Sequence, residues 1–332
     1  MEDGLSLARY AESSGENNAV SGGRFGVVRI RPRFARGGGR QRTGRKASRL
    51  LSAAFLALLL LVIAFPSVFA PHSPYSQDLT NRLRPPFWQA DAVSGHMLGT
   101  DQLGRDVLSR LIYGARTSIL VALAALALAA IVGVSLGLLS GYARGAPDSV
   151  FMRLADTQLS IPFILLAVGV IGAIGPSTFN LILVLALTGW VIFARVARAE
   201  AMRLRTADYI YAAQGMGGRA HYVLYRHVLP NAATPLIVIG AFQLSAMVFG
   251  AAALSFLGLG VQAPVPSWGG MMNEGQSYIY TAWWLITLPG LLISITLMAI
   301  NVTSEWMSTA RGGENTVAPS ELQVASSKKE DR

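Results

Sequence analysis

An all-α, polytopic membrane fold with six transmembrane helices is what this sequence predicts, on three observations. Of its 332 residues, 52% are hydrophobic and only 14% are charged, whereas a soluble domain carries about 25% charged residues. Second, five stretches contain no Asp, Glu, Lys or Arg: 50–77, 117–143, 157–194, 227–273 and 275–304. A spanning helix needs about 20 apolar residues at about 1.5 Å rise each. Each stretch therefore holds one span, and the third, interrupted at Gly172, Gly175 and Pro176, holds two. Third, the charges are sided. With both termini in the cytoplasm, the inner segments hold 23 of the 28 lysines and arginines and 13 of the 18 acids. The whole excess of +10 then lies on the inner face, as the positive-inside rule requires.

Residues 1–49 precede the first span. From Arg24 to Arg49 there are ten basic residues and no acidic one, interleaved with glycine. The run reads as a disordered cytoplasmic segment drawn to anionic headgroups; a nucleic-acid surface is the alternative reading of such a charge run. The span near 50–70 is an uncleaved anchor, because Pro71 would be the first mature residue of any signal peptide ending Val68-Phe69-Ala70.

The outer loop, 71–116, is too long for a hairpin. Val107, Leu108, Leu111 and Ile112 recur at helical spacing with Arg105, Asp106, Ser109 and Arg110 between them. That pattern predicts an amphipathic helix in the interface, leading into the second span, with Asp101 as a candidate cap for its start. Two readings stay open: a lead-in helix whose charges pair locally, or an outer gate or docking surface for a substrate-delivering partner.

Spans near 117–140, 158–173 and 178–195 follow. The inner loop 196–232 is the most informative segment. Tyr209-Ile210, Ala212-Ala213 and Met216 recur about one turn apart, predicting a short helix that Gly217-Gly218 stops. A second short helix follows, predicted to end at Pro230. Two short helices outside the membrane are most easily stabilised in a groove on another protein.

Spans near 234–257 and 285–304 complete the membrane domain, 50–305, ahead of a cytoplasmic tail, 306–332. Pro235 and Pro289-Gly290 read as kinks or hinges. No charged residue falls near a span centre. Gln243, Ser245, Met247 and Ser294 are candidates for lining a transient passage, with interhelical hydrogen bonds as the equal alternative.

Three motifs in order carry a resemblance. Ala212-Ala213, Gly217 and His227-Val228-Leu229-Pro230 look like the coupling loop of binding-protein-dependent ABC permeases. Gly99-Thr100-Asp101, Gly104-Arg105-Asp106 and Leu254 to Gly260 narrow it. Over about residues 96–305 the chain resembles the second, C-type permease subunit of the dipeptide/oligopeptide/nickel importers. The resemblance implies the type I ABC importer permease fold, five core helices plus an amino-terminal one, in a bacterial cytoplasmic (inner) membrane. It implies a passage for peptides or a related small solute, such as chelated nickel. It also implies a homologous second permease, two ABC ATPase subunits that carry ATP and Mg, and an extracytoplasmic solute-binding protein. Tyr211 stands where the family's loop usually has Glu, implying an apolar or hydroxyl contact with the ATPase. Ala251 likewise replaces a Glu, and the tail lacks the usual Leu-Asp-Pro.

No enzyme site is visible. The chain has no Gly-x-x-x-x-Gly-Lys-Ser/Thr, no Gly-x-Ser-x-Gly and no cysteine, so no cofactor is expected on it. The four histidines, 72, 96, 221 and 227, show no close metal-binding spacing. An ion-coupled carrier or channel, and a non-transporting scaffold, are the competing classes.

Overall fold

A computed structural model describes residues 38–312 apart from Arg144. The basic amino-terminal run up to residue 37 and the tail beyond residue 312 lie outside the described residues. Within them the chain is all-α, with an isolated bridge between Thr100 and Asp106 as its one β-type pairing.

Helix α1 (Gly38–Ala64) is apolar over Ser48–Ala64, and the one-turn α2 (Pro66–Phe69) follows it. Helix α3 (Val107–Ala143) is one uninterrupted element of 37 residues. At about 1.5 Å per residue it reaches about 55 Å, well past a hydrocarbon core of about 30 Å. The predicted interfacial helix is therefore its first three turns. The amphipathic reading fails because both faces are covered: Ser109 and Arg110 are as buried as Val107 and Leu111.

Helices α4 (Ala146–Leu159) and α5 (Phe163–Ile174) meet at 93° across Ser160-Ile161-Pro162. The span expected at 158–173 is thus a bent pair. Pro162 supplies no amide hydrogen and pushes Ile161 out of helical geometry. The 12 residues of α5 rise about 18 Å, too little to cross alone. Helix α6 (Thr178–Leu204) is capped by Ser177, whose hydroxyl accepts from the Asn180 amide at 3.1 Å.

Short helices α7 (Asp208–Gly215) and α8 (Ala220–Val223) follow. The second does not stop at Pro230. A π-helical turn, Leu224–Val228, joins it to α9 (Leu229–Phe256), making one helix from Ala220 to Phe256. Pro230 lies in the first turn of α9, where its missing amide is tolerated, and the wide turn bonds the Leu229 amide to the Leu224 carbonyl. Helices α10 (Trp268–Gly275) and α11 (Trp284–Gly312) close the chain. Among the described residues four helices are long and apolar enough to cross a membrane, and the bent pair and the shorter apolar stretch of α1 stand at the two other predicted spans.

The tightest packing joins α3 to α6. Gly133, Gly137 and Gly141 recur every four residues, and a methyl group at each would lie 2.3 to 2.5 Å from the carbonyls of Trp190, Ala194 and Arg198. Ala194, Ala197 and Ala201 face them and are fully buried. With only hydrogen in the way the backbones touch, and dispersion holds the pair where lipid leaves no hydrophobic drive between helices. Outward positions, among them Leu60, Ile131, Leu165 and Phe179, are exposed and apolar, the surface lipid requires.

Candidate functional site

At one end of the bundle the loop before α3 folds onto α10. Gly99 and Gly104 both take positive φ, and a side chain would meet the Arg84 carbonyl at 2.4 Å or the Asp78 carbonyl at 1.7 Å. Only glycine fits there. Thr100 is locked between them: its hydroxyl donates to the Asn81 carbonyl at 2.5 Å and accepts from the Arg84 amide at 2.9 Å.

Asp101 does not cap α3. One carboxylate oxygen accepts from the Leu103 and Arg105 amides at 2.8 and 2.9 Å, and the other from Arg105 Nε at 2.6 Å and from Arg110. The cap is Asp106, whose Oδ2 accepts from the Ser109 amide at 2.8 Å, because the helix begins at Val107.

Both arginines also reach Glu274 on α10, Arg105 at 2.6 Å and Arg110 through two bonds of 2.8 and 3.1 Å. Gln102 Nε2 donates to it at 2.9 Å. Burial pushes the Glu274 carboxyl up, but the hydrogen bonds and charge of Arg110, the charge of Arg105 and the Gln102 bond outweigh it. They hold it below the usual glutamate range. Asp101, Arg105 and Arg110 are almost wholly buried, so each charge there needs its partners. Glu274 stood outside every motif in the sequence; as the lone charge between residues 227 and 304 it was visible, but its partners were not.

Beside this network, His96 Nδ1 lies 3.0 Å from Asp106 Oδ1 and His72 Nδ1 lies 3.9 Å from Oδ2. The two rings are 4.9 Å apart. Sequence spacing gives no sign of this pairing: residues 24 apart in the chain meet because the loop doubles back.

At the other end, α7 carries Tyr211, Ala212 and Ala213. Ile210 and Ala213 face inward, while Tyr211, Ala212 and Met216 face out. Gly217, at φ +86°, ends the helix, and the Gly218 amide reaches back to the Ala213 carbonyl at 3.0 Å. A side chain at Gly218 would lie 2.7 Å from that carbonyl and 3.4 Å from Val223, so α7 rests on α8 there. Val223, Leu224 and Val228 are buried beneath; Tyr222 and Tyr225 are more than half exposed. His227 is half-buried on the π turn, its carbonyl accepting from Asn231 at 2.6 Å, and Leu229 and Pro230 start α9. Below this surface Arg198 forks onto Asp148 at 2.5 and 2.7 Å, tying α6 to α4.

Inside the bundle the four lining candidates do not form one surface. Gln243 and Met247 border a cavity of about 260 Å³ with Phe163, Leu185 and Thr188. Ser245 is buried on another side of α9. Ser294 donates to the Gly290 carbonyl at 2.9 Å and borders a different cavity, of about 620 Å³. Residues 243, 245 and 247 alternate around a helix, so sequence proximity separates them. Near the α4–α5 bend Gln158 ties the end of α4 to α6, accepting from Trp190 Nε1 at 2.8 Å and donating to the Leu187 carbonyl at 2.5 Å.

Residues 133–310 match the family described as "Binding-protein-dependent transport system inner membrane component". The chain is 39% identical over 257 residues to the di/tripeptide transport system permease protein DppC of Pseudomonas aeruginosa (strain UCBPP-PA14), covering 76% of this chain and 85% of that one. It is 37% identical over 251 residues to the probable D,D-dipeptide transport system permease protein DdpC of Escherichia coli (strain K12), covering 76% and 82%. It is 35% identical over 268 residues to the dipeptide transport system permease protein DppC of Bacillus subtilis (strain 168), covering 80% and 82%.

Proposed function

The chain belongs to the inner membrane components of binding-protein-dependent transport systems, and we propose that it lines the passage of an ATP-binding-cassette importer for short peptides. It is a permease subunit and not an enzyme, and it works within a complex of several subunits. The names of its relatives favour peptides over chelated nickel as cargo. The ion-coupled carrier and the scaffold fall away with family membership.

In this reading the other subunits are a homologous permease, two ATPases that bind ATP and Mg, and an extracytoplasmic solute-binding protein. The excess of basic residues on the α7 side supports an orientation with the α7 end and both termini in the cytoplasm. One observation carries the coupling role. Around an anchored turn, Tyr211, Met216, Tyr222 and Tyr225 stand 51% to 84% exposed, while Ile210, Ala213, Val223 and Val228 beneath them are sealed. An apolar patch of that kind on a rigid base fits a groove in a partner protein. Tyr211 supplies an aromatic contact where related loops carry a carboxylate, which requires a matching ATPase surface.

The test is co-purification of the assembled complex with Tyr211→Asp and Met216→Asp. The expected result is loss of the ATPase from the complex, while Tyr280→Asp, at the opposite end and 99% exposed, retains it. Retention of a coupled ATPase by both α7 variants overturns the assignment.

A further inference from the structure

The transport reading makes no use of the two histidines beside Asp106. His72 comes from the segment after α2, His96 from the loop before Gly99, and Asp106 from the start of α3. One ligand atom from each lies within 4.8 Å of the other two. Two imidazoles and one carboxylate, with no thiolate in the chain, form a donor set for a borderline divalent cation such as Zn2+.

The surroundings hold these donors in place. The Asp106 side chain is 1% exposed, and its Oδ2 is engaged by the Ser109 amide. The Ser109 hydroxyl in turn accepts from the His72 amide at 3.0 Å. One serine thus fixes both the carboxylate and the backbone of the first histidine, as supporting groups do around metal sites. Oδ1 faces His96 Nδ1 at 3.0 Å. His72 is the adjustable member, its side chain 42% exposed. That open side leaves room for water to complete a tetrahedral shell with Zn–N distances of about 2.0–2.1 Å.

We propose that His72, His96 and Asp106 bind one divalent transition-metal cation, which clamps the segment after α2 and the loop at residue 96 onto the first turn of α3. The cation would convert a two-point contact into a three-point anchor at the loop end. This inference is independent of the transport reading, and its test does not use transport.

The assembled complex, with any affinity tag removed and metal stripped by chelator, is titrated with Zn2+ against a chromogenic competitor, and with Co2+ as a spectroscopic probe. The expected result is one Zn2+ per copy of this chain, a raised thermal midpoint, and visible Co2+ bands of tetrahedral intensity. His72→Ala and His96→Ala each weaken binding by about tenfold or more, while His221→Ala, at the other end, binds as wild type. His72→Gln is the decisive variant if His96→Ala fails to fold, because residue 72 is the most exposed of the three. Absence of saturable binding, or binding that His72→Ala and His72→Gln leave unchanged, overturns the proposal and leaves an ordinary histidine–aspartate hydrogen bond.

Discussion

Arg110 and Glu274, 164 residues apart in the chain, meet through two hydrogen bonds of 2.8 and 3.1 Å. Arg110 lies in the first turns of α3 and Glu274 on α10, so the pair fastens the loop end of the bundle. Glu274→Gln leaves Arg105 and Arg110 to share Asp101 alone. Breaking a buried ion pair from one side costs about 3–5 kcal/mol, and the partly exposed edge of Glu274 puts this one near the low end. Thermal unfolding in detergent measures the loss, and a midpoint unchanged from wild type would show that Asp101 suffices.

The same carboxylate sets an acid limit. Its folded-state value is depressed, so its stabilisation is complete above the ordinary glutamate range and is lost as pH falls through the lower folded value. The expected outcome is a midpoint that drops on acidification below about pH 4, and a shallower drop in Glu274→Gln over the same window. Parallel curves for the two proteins would assign the acid limit elsewhere.

Glycine substitutions separate contact from mere flexibility. Gly137→Ala places a methyl group against the Ala194 carbonyl, whereas Gly172 has open space around it. Overpacking costs about 1–3 kcal/mol, so Gly137→Ala lowers the midpoint by several degrees and Gly172→Ala leaves it within error. Equal effects would remove the close α3–α6 approach.

At the α7 end the two adjacent glycines act differently. Gly217 needs its positive φ but has room, so Gly217→Asn is tolerated while Gly217→Val strains the turn by about 1–2 kcal/mol. Gly218→Ala meets backbone and displaces α7 from α8. Hydrogen exchange of the α7 amides reads this out: protection falls in Gly217→Val and Gly218→Ala and holds in Gly217→Asn.

The lack of native cysteine permits a clean labelling test of the interior. Gln243→Cys borders the cavity beside Phe163 and Thr188, whereas Ser245→Cys is buried away from it. A water-soluble thiol reagent is expected to modify the first several times faster, and peptide cargo to slow it. Equal rates would contradict the separation of the two faces of α9.

The all-helical membrane character was open to reading because charge spacing and glycine stops act locally. The apolar runs and the stop at Gly217-Gly218 are examples. The glycine ladder on α3 was also there to be seen, as three glycines four apart in an apolar stretch. Other features were hidden because they depend on partners far along the chain. Arg105 and Arg110 look like solvated interfacial charges until Glu274 arrives, and His72 and His96 look unrelated until the loop doubles back. Pro230 misleads for a different reason: a single π turn, which leaves no mark in the residue pattern, admits it to a continuous helix. Of the suggested lining, only Gln243 and Met247 share a cavity, because a helix turns by about 100° per residue and scatters near neighbours around its circumference.

The separation between Arg110 and Glu274 also orders events during synthesis. The chain emerges amino terminus first, so Asp101, Arg105 and Arg110 are in place long before Glu274 exists. At about 5–20 residues per second, the intervening 164 residues take on the order of ten to thirty seconds to make. Throughout that interval Asp101 is the one carboxylate of this network that the two guanidinium groups have to share. The loop's contacts to Glu274 can close only after α10 has been translated.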